Sequence, residues 1–486
     1  MRILHVASEA TPFAGTGGLG EVLGTLPRAL AELGHDVTVL LPLYRSARTR
    51  APSFEAKPIE LEVPIGDRVH VAPLWRTKLP DSQVTVLLLE HDPYYNREGL
   101  YGTADGDFRD NAERFIFLAR ATMESMVRLE PFDVVHAHDW QTALVPVYLR
   151  TLYADRPACA RTRSVITIHN LAFQGTFWHW DMKLTGLDWS LFNWRELEFY
   201  GRLNFLKGGM VFAHAITTVS PRYAEEIRTP EFGCGMQDVL RGRAADLVGI
   251  LNGIDPVQWD PAKDKWIPAN YDSANLKGKA ACKRALQKKC GLPEEPGTPL
   301  LGMVSRVTEQ KGFDLVVQVL PDLLRQNVQF VLLGAGEERY QKPLEELARR
   351  HRTRMSVQWA FDPRLAHEIE AGADLFLMPS RFEPCGLNQL YSLRYGTIPV
   401  VHAVGGLADT VVDATPDAIA RGTATGFVFG PYTATAFREA LDRALAAWRS
   451  PKGRRRLMAT AMAQDFTWKR SAEQYSALYR KLTGRG

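Results

Sequence analysis

The feature that most constrains this fold is a repeated alternation of short apolar runs with longer helix-like runs. The helix-like runs of the first half include 21–33, 111–128 and 142–153. Its apolar runs are 2–8, 37–41, 84–90, 134–137, 165–169, 215–219 and 247–251. Strands that alternate with helices predict a parallel sheet covered by helices on both faces.

The alternation stops near Asn252 and restarts after a stretch rich in Pro, Asn and Lys that extends to about Lys279. We therefore predict an α/β protein with two doubly wound, Rossmann-like domains, 1–251 and 252–486. The helix-like stretch 472–482 is far in sequence from the second sheet, so the last ~20 residues are expected to cross back to the first domain. Ligands of such domains bind at the carboxyl ends of the strands, which predicts a site in the cleft between them.

Composition excludes several function classes. The chain has 486 residues, and its 59 basic and 55 acidic residues leave a net charge of +4, too small to suggest a nucleic-acid partner. No apolar run approaches the ~18 residues of a membrane span. Five cysteines without metal-ligand spacing fit a reduced compartment. We expect a cytoplasmic protein, of bacterial type or from a plastid stroma, with no membrane partner; the sequence leaves its oligomeric state open.

A glycine-rich loop, Gly15-Thr16-Gly17-Gly18-Leu19-Gly20, joins the first predicted strand to the first predicted helix. Glycines there let backbone N–H groups approach a phosphate, and the helix N-terminus adds partial positive charge. The same letters also match the dinucleotide fingerprint G-x-G-x-x-G. That fingerprint expects an acidic residue after the second strand, where this chain has Leu41-Pro42-Leu43, so a nicotinamide-dependent oxidoreductase is disfavoured.

The second domain carries polar residues after its strands. Arg306 and Lys311 follow the strand 300–305, and two permanent cations there suit a diphosphate. Glu383 lies between the strand 374–379 and the next helix. The glycine pair Gly405-Gly406 repeats the strand–glycine–helix arrangement.

In the first domain, His136, His138, Asp139 and His169 end two strands. Neighbouring strand residues point to opposite faces, and no closed ligand set is apparent, so we expect no metal. The aromatic-rich segment 173–205 is predicted to be mostly core, with a few exposed rings that could stack on sugars.

Together these motifs resemble the bacterial glycogen synthases and plant starch synthases, ADP-glucose-dependent glycosyltransferases of family 5 with the GT-B fold. The resemblance covers essentially the whole chain. It is carried by 16–20, 138–140, 169–175, 197–201, 218–221, 251–255, 305–306, 310–312, 381–387 and 405–410.

The resemblance implies that glucose passes from ADP-glucose to the non-reducing O4 end of an α-1,4-glucan with retention of configuration, and that no cofactor or metal takes part. The implied catalytic residues are Glu383, Arg306, Lys311, His169 and Asp139. The implied donor-binding residues are Gly17, Gly18, Asn252, Ser305, Phe361, Cys385, Gly386, Leu387, Asn388, Gly406, Leu407 and Thr410. The implied acceptor-binding residues are Glu9, Tyr95, Asn170 and Gln174.

One position departs from the family pattern. The family loop reads Lys-Thr-Gly-Gly-Leu, and Gly15 stands in the lysine position. An alternative function is therefore a catalytically weak or silent glucan-binding homologue. The retained Arg306, Lys311, Glu383 and His169 favour an active enzyme.

Overall fold

A computed structural model describes residues 1–51, 53–103 and 105–485. The chain forms two compact units: Met1–Gly253 with the C-terminal segment from Trp468, and Ile254–Thr467. The first boundary lies two residues beyond the expected one. Asn252, which the sequence assigned to the second domain, therefore belongs to the first unit.

The first unit is built on a nine-stranded sheet in the order β14-β13-β9-β8-β1-β2-β5-β4-β3. All its strand pairs are parallel except β3–β4 and β4–β5. The strands of the first unit are β1 (Arg2–Val6), β2 (Asp36–Pro42), β3 (Ile59–Ile65), β4 (Arg68–Lys78), β5 (Thr85–Leu89), β6 (Gly102–Thr103), β7 (Gly106–Asp107), β8 (Val134–His138), β9 (Arg163–Ile168), β10 (Thr176–Phe177), β11 (Glu198–Phe199), β12 (Arg202–Asn204), β13 (Ala215–Thr218) and β14 (Leu247–Gly249). Of these, β10, β11 and β12 form a separate three-stranded sheet, and β6 and β7 form a two-stranded one.

Helices pack around this sheet. They are α1 (Gly18–Glu32), α2 (Arg45–Arg50), α3 (Asp92–Tyr95), α4 (Asn111–Arg128), α5 (Leu144–Arg150), α6 (Met182–Thr185), α7 (Phe205–Phe212), α8 (Pro221–Glu226), α9 (Gln237–Gly242) and the C-terminal α19 (Trp468–Thr483). α19 buries Ala472, Tyr475 and Tyr479, which share one helix face. Ser471 also donates to the Leu251 carbonyl, so the C-terminal helix is part of the first unit.

The second unit has a six-stranded parallel sheet in the order β17-β16-β15-β18-β19-β20. Its strands are β15 (Leu300–Val304), β16 (Gln329–Gly334), β17 (Met355–Trp359), β18 (Leu375–Met378), β19 (Ile398–His402) and β20 (Phe427–Phe429). Its helices are α10 (Lys277–Lys289), α11 (Phe313–Leu323), α12 (Glu338–Arg350), α13 (Pro363–Gly372), α14 (Asn388–Tyr395), α15 (Gly405–Thr410), α16 (Pro416–Arg421), α17 (Ala434–Arg449) and α18 (Pro451–Met462).

Each sheet reverses its strand order once. In the first unit the chain runs outward from β1 through β2, then returns to β8 on the other side; in the second it does the same from β15 to β18. The central strands are apolar and fully buried, as in Ile3, Leu4 and Val6, because helices cover both faces. Ligands of doubly wound sheets bind outside the strand ends at this reversal, so each unit offers one such place.

The two-domain α/β prediction is confirmed. Among the residues that the structure describes, no helix has both the length and the apolar composition needed to span a membrane.

Candidate active site

The loop after β1 is held by a buried carboxylate. Glu9 is 4% exposed. The Thr16 N–H donates to Glu9 Oε2 at 2.6 Å, and the Thr16 and Tyr101 hydroxyls donate to Oε1 at 2.8 and 2.6 Å. Glu9 was predicted to contact the acceptor. Its three hydrogen bonds fix the shape of the glycine-rich loop, and the acceptor contact stays a prediction.

The glycines of this loop serve different purposes. Gly15, Gly17 and Gly18 are exposed, and a Cβ on Gly17 would meet nothing within 4 Å. Gly24, inside α1, is sterically required, because a Cβ there would lie 2.1 Å from Thr11 Oγ1. Gly20 is also tight, with a Cβ 3.0 Å from the Gly15 Cα. The start of α1, where Gly18 is exposed and no side chain caps the helix, lies at the strand-order reversal, and a helix N-terminus there suits an anion.

Asp139 and His169 meet at the ends of β8 and β9. Asp139 has a left-handed backbone (φ 57°), unusual for a residue with a side chain. Its Oδ1 accepts from the His169 N–H at 2.7 Å. Burial raises the pKa of the Asp139 carboxyl to about 7, and backbone N–H groups of His169 and Asn170 oppose that rise. Near neutral pH the carboxyl therefore accepts hydrogen bonds when ionised and can donate one when protonated.

Four histidines surround this corner. His138 Nδ1 lies 3.0 Å from His169 Nε2, and His138 Nε2 lies 3.0 Å from His5 Nδ1. His136 is bonded separately, to the Tyr479 hydroxyl on α19 at 2.6 Å and to Thr167 Oγ1 at 2.6 Å. Burial lowers the pKa of His5 and of His169 to about 3 and holds that of His136 and His138 well below the usual value.

Three of these histidines form the only group of three or more His, Cys, Asp or Glu residues in the described part of the chain whose ligand atoms lie close enough together to hold a metal ion. One nitrogen each from His5, His136 and His138 lies within 4.8 Å of the others. This grouping differs from the one considered from sequence, which included Asp139 and His169. The rings of His136 and His138 are stacked at 4.2 Å, whereas metal ligands converge on one point. Binding of a metal ion would also break hydrogen bonds that these histidine nitrogens make to one another, to Tyr479 and to Thr167.

The other three residues predicted to bind the acceptor lie in different environments. Gln174 accepts from the Asn204 amide and donates to the Cys234 carbonyl at 2.9 Å, which ties two loops together. The Asn170 side chain accepts from the Ala172 N–H and remains partly exposed. Tyr95 requires a correction. It is 0% exposed, and its hydroxyl donates to a buried carbonyl of α4, so it lies in the core and offers no surface to a glucan.

In the second unit, a buried ion pair stands at the strand-order reversal. Lys311 follows β15 and Glu383 follows β18, and Lys311 Nζ lies 2.6 Å from Glu383 Oε2. The Ser380 hydroxyl donates to the same oxygen at 3.0 Å. The side chains of Lys311 and Glu383 are 18% and 7% exposed. A charge pair this sheltered from water is strongly coupled.

Glycines allow the loops around Glu383 to pack closely. Gly405 has φ 42°, and a Cβ there would lie 2.0 Å from the Glu383 carbonyl oxygen. A Cβ on Gly406 would lie 2.0 Å from the Cys385 carbonyl oxygen. The Gly406 N–H donates to the Glu383 carbonyl at 3.2 Å. The glycine pair therefore fixes the backbone on either side of the Glu383 carboxylate.

The other predicted donor residues of the second unit follow the carboxyl ends of its strands. Asn388, the first residue of α14, donates to the Val304 carbonyl at the end of β15 at 2.6 Å. Arg306 is exposed, and one of its nitrogens lies 3.4 Å from Gln310 Oε1. Phe361 is 93% exposed. The other second-unit donor residues are Ser305, Cys385, Gly386, Leu387, Leu407 and Thr410, on the segments after β15, β18 and β19.

Three residues of the site were not predicted from the sequence. Ser380 completes the Glu383 contact, Tyr101 holds Glu9, and His5 contacts His138. Of these, His5 carried a usable signal, since a histidine in a buried first strand is an unusual polar residue among Ile3, Leu4 and Val6.

Comparisons with known proteins agree along the whole length. The family model described as "Starch synthase catalytic domain" matches residues 2–242, and "Glycosyl transferases group 1" matches residues 286–462. The glycogen synthase of Anaeromyxobacter sp. (strain Fw109-5) is 51% identical over 485 residues, 99% of each chain. Glycogen synthase 2 of Geobacter sulfurreducens is 48% identical, covering 99% of this chain and 98% of the relative.

A solved structure, the catalytic domain of starch synthase IV from Arabidopsis thaliana bound to ADP and acarbose, covers 99% of both chains with a TM-score of 0.92 and 34% identity. The chain therefore has the GT-B fold and belongs to the family of bacterial glycogen synthases and starch synthases.

Proposed function

We propose that this chain is a retaining glucosyltransferase that moves glucose from ADP-glucose to the non-reducing O4 end of an α-1,4-glucan. The observation that carries the proposal is the full-length similarity of this chain to glycogen synthases, with 50–51% sequence identity over 485 residues. The related starch synthase that was solved with ADP and acarbose supports a nucleotide and a glucan as ligands.

The second unit would handle the donor. Arg306 and Lys311 supply positive charge at the end of β15, where the diphosphate of ADP-glucose would bind. Lys311 is paired with Glu383, and a bound diphosphate would compete for the same ammonium. Glu383 would then face the glucosyl group and oppose positive charge that develops at C1 as its bond to phosphate breaks.

In the transfer, the C1–O bond to the β-phosphate breaks and a bond from C1 to the acceptor O4 forms. The proton of the acceptor hydroxyl passes to an oxygen of the departing phosphate, so no protein base is required. In the first unit, Asp139 and His169 would hydrogen-bond sugar hydroxyls, and the loop 15–18 with the start of α1 would contribute N–H groups toward a phosphate. We propose that neither a cofactor nor a metal takes part.

An assay of ADP release tests this function. The purified full chain is incubated with ADP-glucose and glycogen, with UDP-glucose in a parallel reaction and with EDTA added in a third. We expect ADP release that needs glycogen, is insensitive to EDTA and is faster than UDP release. Radiolabelled product should be released as maltose by β-amylase, which requires α-1,4 addition at non-reducing ends.

Absence of turnover with either donor would refute the transferase function and support the glucan-binding alternative suggested by Gly15. Loss of activity on EDTA treatment would refute the metal-free mechanism. We also infer a cytoplasmic location, because the relatives named above are bacterial glycogen synthases and the donor would be a nucleotide sugar.

A further inference from the structure

A line of three imidazoles runs from the core of the first unit to His169. His5 lies in β1, His138 ends β8, and His169 follows β9; these strands are neighbours in the sheet. Both N···N distances along the line are 3.0 Å. His5 and His138 are 0% exposed, while His169 at the end of the line is half-buried.

The line is electrically neutral at neutral pH, because burial depresses the pKa of each ring. A neutral imidazole has one N–H donor and one acceptor nitrogen. Each N···N contact must therefore pair a donor with an acceptor. As His138 uses both nitrogens, the two hydrogen bonds run in the same direction along the line, either outward to His169 or inward to His5.

The far end of the line decides between these directions. His5 Nε2 is buried and has no hydrogen-bond partner among the described residues. An inward line would place the His5 proton on Nε2 as a buried unpaired donor, whereas an outward line leaves an unpaired acceptor there. Among backbone groups, orphaned N–H groups are rarer than under-satisfied carbonyls, and we apply the same preference to this imidazole. In an outward line, His5 Nδ1–H donates to His138, and His138 Nδ1–H donates to His169 Nε2.

We propose that His5 and His138 are positioning residues that hold His169 in its Nδ1–H tautomer. In this tautomer the proton is on Nδ1, the ring nitrogen that His138 does not contact, where it would be donated to an oxygen of the bound glucosyl group. Without this line, the tautomer of His169 would be free to change, and half of the possible states would present an acceptor instead. This inference rests on the proposed function for its substrate, although the tautomer itself does not depend on turnover.

The first test is spectroscopic and requires no activity. Full-length protein with ¹⁵N-labelled histidine is studied by long-range ¹H–¹⁵N correlation at pH 7, with the His169 signals assigned by their loss in His169→Ala. We expect the Nδ1–H pattern for His169. An Nε2–H pattern, a cationic ring or a stoichiometric metal bound at the histidines would overturn the proposal. This result can be obtained even if no ADP release is detected, so it is separate from the proposed function.

The second test is a double-mutant cycle. His138→Phe removes the donor to His169, and we expect kcat/KM to fall about 2- to 12-fold, the value of one neutral hydrogen bond. In the His169→Ala background the same substitution should cause no further loss. An equal loss in both backgrounds would show a merely structural role and overturn the proposal.

His70→Phe is the matched control, since it removes another histidine–histidine contact of the first unit, His91 Nε2 to His70 Nδ1 at 3.2 Å. It should leave both the His169 tautomer and kcat/KM unchanged. His138→Asn retains an amide donor near Nδ1 and should restore part of the loss; failure to do so while the protein remains folded would count against the donor role. Should His138→Phe not fold, the spectrum of the unmodified chain still decides.

Discussion

Gly15→Lys would restore the family's charge to the loop after β1, and the structure indicates that a side chain fits there. Gly15 is exposed and its φ lies outside the left-handed region. A Cβ would lie 3.3 Å from Thr11 Cγ2, 3.8 Å from the Gly20 Cα and 4.0 Å from Glu9 Oε2. Only the Thr11 methyl must shift by a few tenths of an ångström, so the folding cost should be within about 0.5 kcal/mol, as for other surface substitutions.

The expected gain comes from a charge-assisted hydrogen bond to a donor phosphate, about 1.5–3 kcal/mol. That corresponds to about a 10- to 150-fold lower KM for ADP-glucose. Glu9 is the main competitor for the new ammonium. Because its carboxylate already accepts three hydrogen bonds from Thr16 and Tyr101, we expect it to reduce the gain rather than cancel it.

The assay is initial-rate kinetics of ADP release at fixed glycogen, at about 0.05 and 0.5 M salt, where screening should shrink the gain. Gly15→Met is the matched control. It has a side chain of similar length without charge and also removes the flexibility of glycine, which by itself can stabilise a loop. If the lysine and methionine variants had KM values within twofold of each other, the reasoning about a missing loop charge would be refuted.

Three further predictions concern catalysis and stability. Glu383→Gln keeps the shape but removes the charge next to Lys311, and kcat should fall about 10²- to 10³-fold. KM should stay the same or fall, because Lys311 loses its competing partner; parallel losses in binding and turnover would contradict this role. Tyr479→Phe leaves a buried His136 nitrogen unpaired, and urea titration should show a loss of about 1–3 kcal/mol in unfolding free energy; a loss below about 0.5 kcal/mol would oppose it. The pKa of His5 is lowered to about 3, so its contribution to stability is present above pH 6.5 and is lost as the unfolded chain takes up a proton at lower pH. When the pH is lowered from 7 to 5, the unfolding free energy of His5→Phe should fall by about 2 kcal/mol less than that of the unmodified chain. Identical pH dependence of the two proteins would refute this.

Much of the fold could be predicted because its strands are buried on both faces. Apolar runs of this kind are visible without knowing their neighbours, and α4 was predicted with the observed bounds Asn111–Arg128. β3 and β4 were missed. In β3 the buried Leu61, Val63 and Ile65 alternate with more exposed residues. This alternation has a period of two, and it is less conspicuous in the sequence than the continuous apolar runs of the central strands.

The candidate site was only partly predictable. Lys311 and Glu383 were each recognised as polar residues after a strand, yet nothing in the sequence indicates that their charged atoms lie 2.6 Å apart. Tyr95 was expected at a ligand, and the packing of α3 against α4 buries it.

By itself, the sequence determined the two α/β units, the glycine-rich loops and the polar residues that follow the strands, because hydrophobic periodicity and turn chemistry are local. Only the tertiary structure decided which polar groups are paired. Strand order brings His5, His138 and His169 into one line, and burial then sets their charge and the direction of their hydrogen bonds. The two contacts of that line join residues 133 and 31 positions apart along the chain, which no local pattern can encode.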